Sequence, residues 1–249
     1  MSRAAVIERA PRRSERFVYW LSRHWLLAFN VVWGVFVIAP WLAPILMRAG
    51  ATGPASAVYW VYQFFCHQLP ERSFFLFGPQ SMYSLDQIGV AWPTADPGTL
   101  REFVGNSDFG YKVAYSDRMV AMYTAFWIAS MAYGLVRRRL RPLPLWAYFL
   151  MILPMAIDGT THFLSDLAGV DQGFRTTNEW LARLTGNAFP ASFYVGNALG
   201  SFNSWARLIT GALFGIASVW LAFPYAEAAF FEVREELEAK FRRLVSGRQ

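Results

Sequence analysis

Asp158 and His162 lie four residues apart in an otherwise apolar stretch. On a helix that spacing puts a carboxylate and an imidazole on one face. Together they could hold a metal ion or relay a proton. The adjacent pair Cys66-His67 would complete a mixed sulfur, nitrogen and oxygen donor set for zinc or iron. Haem held between His67 and His162 is a weaker option. Against these stands a structural alternative, in which Asp158 pairs with Arg118 or Arg207 and His162 bonds a loop carbonyl. Neighbouring Cys and His is not a usual chelating spacing, and a lone cysteine is commonly an inert buried residue. The full candidate set is Cys66, His67, Arg72, Asp117, Arg118, Asp158, His162 and Arg207. His24 falls at the opposite end of the apolar stretches and cannot join them.

The elements that must position these groups are membrane helices. Hydrophobic residues make up 55% of the 249-residue chain and charged residues 16%, against about a quarter in a soluble chain. Trp25 to Met47 is free of charge, and about 20 apolar residues cross a hydrocarbon core roughly 30 Å thick. Pro40 and Pro44 near its end predict a kink or an early stop. Further spans are expected over 119–136, 143–164 and 208–225. A charged Asp158 inside the third costs on the order of 3 kcal/mol at the bilayer centre and less near the interface. That cost demands a partner, a water-filled pocket or a protonated carboxyl. The expected fold is an all-α, four-helix transmembrane bundle, with short helices in its outer loops and the lipid bilayer around it.

Lys and Arg set the orientation. Residues 1–24 carry six, including Arg3 and Arg9; the link between spans two and three carries four; the tail from Glu232 carries five, ending at Arg248. These 15 of the 23 basic residues place both termini in the cytoplasm by the positive-inside rule. The same reading accounts for the net charge of +6, so nucleic acid is set aside as a partner. Segments 48–116 and 165–206 then lie outside. Phe230, Val233, Leu237, Phe241 and Leu244 recur at steps of three and four. They predict an amphipathic helix over 230–249 running along the inner surface. Gly211 and Gly215 are spaced for close packing of membrane helices, most simply within the bundle.

In the outer segments, Thr99 with Glu102 and Thr176 with Glu179 fit capping boxes. The second of these helices should end near Leu184, with Gly186 as its stop. Ala57 to Phe65 is apolar and aromatic but too short to span. Its apolar face should rest on the bundle and bring Cys66 and His67 close to His162.

Three elements in order resemble the uncharacterised prokaryotic membrane family called domain of unknown function 2085. They are Cys66-His-Gln-Leu-Pro-Glu-Arg-Ser73, then Asp158-Gly-Thr-Thr-His162, then Arg175-Thr-Thr-Asn178 with Leu184-Thr-Gly186. The resemblance runs from about Ala57 to Phe223. It implies a small multi-span membrane protein and no assigned activity. Typical members carry a Cys-x-Arg-Cys pattern before the second span. The corresponding stretch here is Ser116-Asp-Arg-Met119, which keeps Arg118 and lacks both cysteines. The Asp-Gly-x-x-Gln of typical members ends in His162 instead, and an insertion of roughly Gly78 to Gly110 separates the elements. A thiolate metal site in the family would be altered or lost in this chain.

Three functions are carried forward, in order. The first is a non-catalytic membrane protein, serving as an accessory subunit among other membrane subunits. The second is a metal-dependent membrane enzyme or redox protein built on Cys66, His67, Asp158 and His162. The third is a small transporter using Asp158, although no second carboxylate lies deeper along a path.

Overall fold

The computed structural model describes residues 12–94 and 96–246. Arg3, Arg9, Arg248 and both terminal residues, on which part of the charge argument rests, lie outside the described residues. Among the described residues, four helices are long and apolar enough to cross a membrane. They are α1 (Arg13–Arg48), α5 (Asp117–Val136), α6 (Leu145–Asp166) and α10 (Phe202–Ser246). Between α1 and α5 lie α2 (Thr52–Tyr62), a 3₁₀ turn over Pro70–Arg72, β1 (Ser73–Leu76), α3 (Leu85–Ala91), α4 (Pro97–Leu100), β2 (Gly105–Asn106) and β3 (Gly110–Ser116). Between α6 and α10 lie α7 (Phe174–Thr177), α8 (Glu179–Leu184) and α9 (Ala191–Tyr194).

Helix α1 does not break at its prolines. Pro40 and Pro44 are inside the helix and buried, and it runs on to Arg48. The non-helical residue is His24, at φ −118° and ψ 17°. Each proline forfeits one backbone hydrogen bond, but both sit on a face already packed. Ala43, between them, lies in a core with Ala55, Tyr59 and Val113. Neighbouring elements hold the helix where its own ladder is interrupted.

Close approach of backbones fixes α5 against α10. A side-chain Cβ on Gly215 would lie 2.4 Å from the Met122 carbonyl oxygen and 2.7 Å from the Phe126 nitrogen. On Gly211 it would lie 2.8 Å from the Arg118 carbonyl oxygen. The glycine spacing therefore serves packing inside the chain. Helix α6 packs mainly on α10 and turns Trp146, Phe149, Leu150, Leu153 and Ile157 outward, as lipid contact requires.

The start of α1 and the end of α10 lie together and define a terminal side of the bundle. Tyr19 donates to Glu238 at 3.0 Å, Lys240 meets Glu15 at 2.8 Å, and Trp25 donates to Glu227 at 2.9 Å. The tail thus continues α10 without a break. Its apolar stripe faces α1 instead of leaving to form a separate surface helix: the Phe241 ring meets Tyr19, and the Phe230 ring stacks on Trp25. Two helix ends that both expose apolar residues bury them against each other.

The loop side holds more than short helices. A three-stranded antiparallel sheet, in the order β1-β3-β2, joins the two halves of the segment between α1 and α5. Ser73 pairs with Ser116 and Phe75 with Lys112. Strand β3 is central, and Lys112 to Tyr115 are buried consecutively. One core packs α2 and β3 on α1; a second gathers Phe75, Tyr83, Ile88, Leu100, Phe103 and Val170. Neither expected capping box forms. Asp96, not Thr99, caps α4, accepting from the Thr99 amide at 2.8 Å. Asn178, in the left-handed region at φ 44°, divides α7 from α8. Its amide group is spent inward, on the carbonyls of Arg175 and Tyr194. Helix α8 ends at Leu184, and Gly186 follows at φ +60°, a conformation that favours glycine.

Candidate functional site

Asp158 stands on the loop-side half of α6, where the helix faces α5 and α7. One oxygen accepts from Arg118 at 2.7 Å and the other from Arg175 at 2.7 Å. Arg175 then reaches Asn203 through Nε at 3.1 Å, Thr161 through Nη1 at 3.1 Å and His162 Nε2 at 3.2 Å. A guanidinium can only donate, so His162 Nε2 accepts and its proton lies on Nδ1. Gly159 leaves room for this arrangement, since a Cβ there would sit 3.0 Å from Arg118 Nη1.

A second cluster begins one residue before Arg118. Asp117, fully buried, accepts from Arg207 Nε at 2.7 and 2.9 Å and from Ser204 at 3.2 Å. It also receives the Arg118 amide at 2.8 Å, which suits a carboxylate in the first turn of α5. Arg207 continues to Asn197, with Nη1 on its side-chain oxygen at 2.7 Å and Nη2 on its carbonyl at 2.9 Å. Asn197 donates to Asp171. Of the two arginines expected near Asp158, Arg118 binds it, and Arg207 is committed to Asp117.

A third pair closes the lattice. Arg72 grips Asp166 through two bonds of 2.9 and 2.8 Å. This bidentate geometry is the strong form of the contact, and it ties the 3₁₀ turn to the end of α6. Arg72 Nε also lies 3.3 Å from Glu71. Glu71 is fully buried, and neither of its oxygens accepts a hydrogen bond. Burial pushes its carboxyl up to about 7, partly offset by Arg72 and Arg207 and reinforced by Asp171. Lys112, also fully buried, donates to the carbonyls of Gln68 and Arg101. Burial pulls its ammonium down to about 7, against the pull of Glu71.

These two groups give stability a definite pH dependence. The raised Glu71 makes the folded state bind more protons than the unfolded one between about pH 4.5 and 7. Its stabilisation is therefore present at acid pH and lost as pH rises through 7. The depressed Lys112 acts in the opposite sense: its stabilisation appears as pH rises from about 7 towards 10.5. The thermal midpoint in detergent should fall from pH 5 to pH 7, and Glu71→Gln should flatten that limb. A wild-type midpoint that does not change between pH 5 and 7 would contradict the assignment.

Cys66 and His67 stand apart from Asp158 and His162. The Cys66 thiol is buried beside Tyr59, Val113 and Tyr115, and its sulfur accepts from the amides of Gln68 and Ser116 at 3.4 and 3.3 Å. Helix α2 does rest on the bundle, but it delivers Cys66 to strand β3. His67 is exposed. Among the described residues, no three His, Cys, Asp or Glu side chains are grouped to hold a metal ion. A guanidinium bonds each oxygen of Asp158. Among the described residues, Cys66, His67, Asp158 and His162 are therefore not grouped as one donor set for zinc or iron. Position 116, where the resemblance places a first cysteine, has its amide against Cys66.

Arg175, Asn197, Asn203, Asp166, Asp171, Glu71 and Lys112 fall outside the set that the sequence singles out. Arg175 and Asn178 are visible there only as a shared motif, and the asparagines carry no charge to draw attention.

Four apolar helices capped by buried ion pairs define a multi-pass membrane protein. The resemblance to domain of unknown function 2085 holds over residues 108–221, which match the family described as Predicted membrane protein (DUF2085). The matched stretch runs from β3 into α10, with Asp117, Arg118, Asp158, His162, Arg175 and Arg207, and begins after Cys66. The chain is also similar to an uncharacterized protein of Methanocaldococcus jannaschii. The two are 24% identical over 170 residues, covering 65% of this chain and 83% of that protein. No solved structure matches.

Proposed function

We propose that this chain is a non-catalytic membrane protein whose ion-pair lattice fastens the loop-side segments over the bundle, as an accessory subunit of a larger membrane complex. The observation that carries this reading is the pairing of its central carboxylates: both oxygens of Asp158 and both of Asp117 accept from guanidinium groups. Groups held this way serve as clasps; a general base needs a lone pair turned towards substrate. The clasped segments present large apolar side chains, with Phe64 70% and Trp60 62% exposed. Such residues are enriched where proteins meet one another. Solubilised from its own membrane in mild detergent, the protein should migrate well above its 28.3 kDa. A photo-crosslinker at position 60 or 64 should join it to another membrane polypeptide. Migration as the chain alone, with no adduct from either position, would overturn the reading. Both termini belong in the cytoplasm on this view, from the 15 basic residues grouped on their side. A reporter fused after residue 249 that is active only outside the cytoplasm would reverse the orientation.

A further inference from the structure

Helices α5 and α10 meet backbone to backbone at Gly215, where a Cβ would fall 2.4 Å from the Met122 carbonyl oxygen and 3.3 Å from the Ala125 backbone. From that level towards the terminal side, a groove of about 520 Å³ lies between the two helices. Ala125, Ala129 and Ala132 line it from α5, Ile216 and Trp220 from α10, and Leu140 closes its end. Every lining side chain is aliphatic or aromatic. Ala132 is exposed, so the groove opens onto the surroundings of the bundle, which are lipid.

The length of the groove selects its occupant. From Ala125 to Val136 it follows eleven residues of α5, about 16 Å at 1.5 Å per residue. That is half of a hydrocarbon core roughly 30 Å thick, the depth of one leaflet. A partner helix needs a seam across the whole membrane, whereas an acyl chain of one leaflet needs only half.

The mouth of the groove is basic and its charges are unmatched. Arg137, Arg138, Arg139 and Arg141 follow α5 directly. Arg137 pairs with Glu227 at 3.5 Å. Glu227 also accepts from the Trp25 indole, which puts this turn on the terminal side. Arg138, Arg139 and Arg141 are exposed, and among the described residues none has a carboxylate partner. The turn that carries them is held in place. The amides of Arg139 and Leu140 bond the Val136 carbonyl at 2.8 and 3.0 Å, and Trp220 Nε1 donates to the Arg141 carbonyl at 3.1 Å. Leu140 lines the groove from within the same turn, so three unmatched guanidinium groups stand at the rim of an apolar slot. Basic pockets between membrane helices suit anionic headgroups, and guanidinium groups bond phosphate through two parallel N–H donors.

The geometry points to a binding site for one anionic phospholipid of the terminal-side leaflet, its phosphate among Arg138, Arg139 and Arg141 and one acyl chain in the groove between α5 and α10. The site is independent of the accessory-subunit reading, which rests on the loop side and on a protein partner.

The test is retention of lipid after reconstitution. The full chain is placed in vesicles of equimolar phosphatidylglycerol and phosphatidylcholine with the same acyl chains. It is then re-extracted in mild detergent and examined by native mass spectrometry. One phosphatidylglycerol per chain should remain, with phosphatidylcholine retained about tenfold less. Arg138→Gln combined with Arg139→Gln should lower retention about tenfold, as loss of one charge-assisted contact predicts. Ala132→Phe, which puts a ring into the groove from an exposed position, should lower it comparably with every charge in place. Arg242→Gln combined with Arg243→Gln, at exposed positions near the end of α10, removes the same charge elsewhere and should retain lipid as the unaltered chain does. All these positions are exposed, so the thermal midpoints should stay together. Absence of retained lipid, or equal retention of the two lipids, would overturn the proposal. An equal fall in the α10 pair would reduce the effect to diffuse surface charge and overturn it too. So would full retention in Ala132→Phe, or a lipid-free dimer, which would give the groove to a second copy of this chain.

Discussion

Asp158→Ala should destabilise the folded protein by about 3–5 kcal/mol, the cost typical of removing one partner from a buried ion pair. The magnitude comes less from the lost attraction than from what remains. Arg118 and Arg175 both point at the Asp158 carboxylate at 2.7 Å, with side chains 14% and 7% exposed. Without it, two guanidinium groups stay buried on the same side of α6, each beside the other. Asp158→Asn should cost less, since one carbonyl oxygen still accepts, but its amide hydrogens would face a donor. The effect should also be local. Arg175 anchors the α7 segment to α6, so limited proteolysis should cut residues 165–206 faster in Asp158→Ala before the bundle itself opens. The variant Asp158→Ala combined with Arg175→Met removes charge on both sides and should recover part of the loss, as buried pairs replaced by apolar groups often do. A loss below about 1 kcal/mol in the single variant, the range of exposed pairs, would show that water reaches this carboxylate and that the lattice is not a clasp.

The membrane cost of a charge makes Asp158 legible in the sequence alone. A carboxylate in an apolar span must find a partner, and Arg118 is one of two arginines at the right level. The third party is not legible in the same way. Arg175 lies 17 residues on from Asp158, in a four-residue helix too short for periodicity to say which way a side chain turns. The packing of Cys66 against strand β3 has a similar root. Depth and sidedness follow from spans and basic residues, but the azimuth around the bundle does not. Helix α2 sits against α1 and β3, so Cys66, just past its end, packs on strand β3. The sheet is hidden for a different reason. Strand β3 reads Gly-Tyr-Lys-Val-Ala-Tyr-Ser, with a lysine at a fully buried position. Its neighbour β2 is two residues long, too short to show alternation. Pro40 and Pro44 mislead because the rule for an isolated helix gives way to tertiary support on the face that holds them.

Gly215→Ala should be the most damaging change of a single methyl group in the bundle, at about 3 kcal/mol, the upper end for overpacking a core. The added Cβ would fall 2.4 Å from a backbone carbonyl oxygen and 2.7 Å from a backbone nitrogen of α5. Neither atom can rotate away as a flexible side chain would, so the two helices must separate. In an exposed helix the same replacement gains stability, because glycine is the poorer helix former. Gly53→Ala, in α2 with nothing within 4 Å, is therefore the control and should be neutral or slightly stabilising. The separation would not stay confined to the packing. One turn away, Gly211 lies against the backbone of Arg118, and Asp117 and Arg207 bridge the same two helices. Moving α5 from α10 would stretch the 2.7 Å bond between Arg207 and Asp117 and shift Arg118 relative to Asp158. Gly215→Ala should thus lower the thermal midpoint in detergent and also speed cleavage of residues 165–206, which it does not touch. If its midpoint matches that of Gly53→Ala, the helices are not in backbone contact. If the midpoint falls while cleavage of that segment is unchanged, packing and the ion-pair lattice are not coupled.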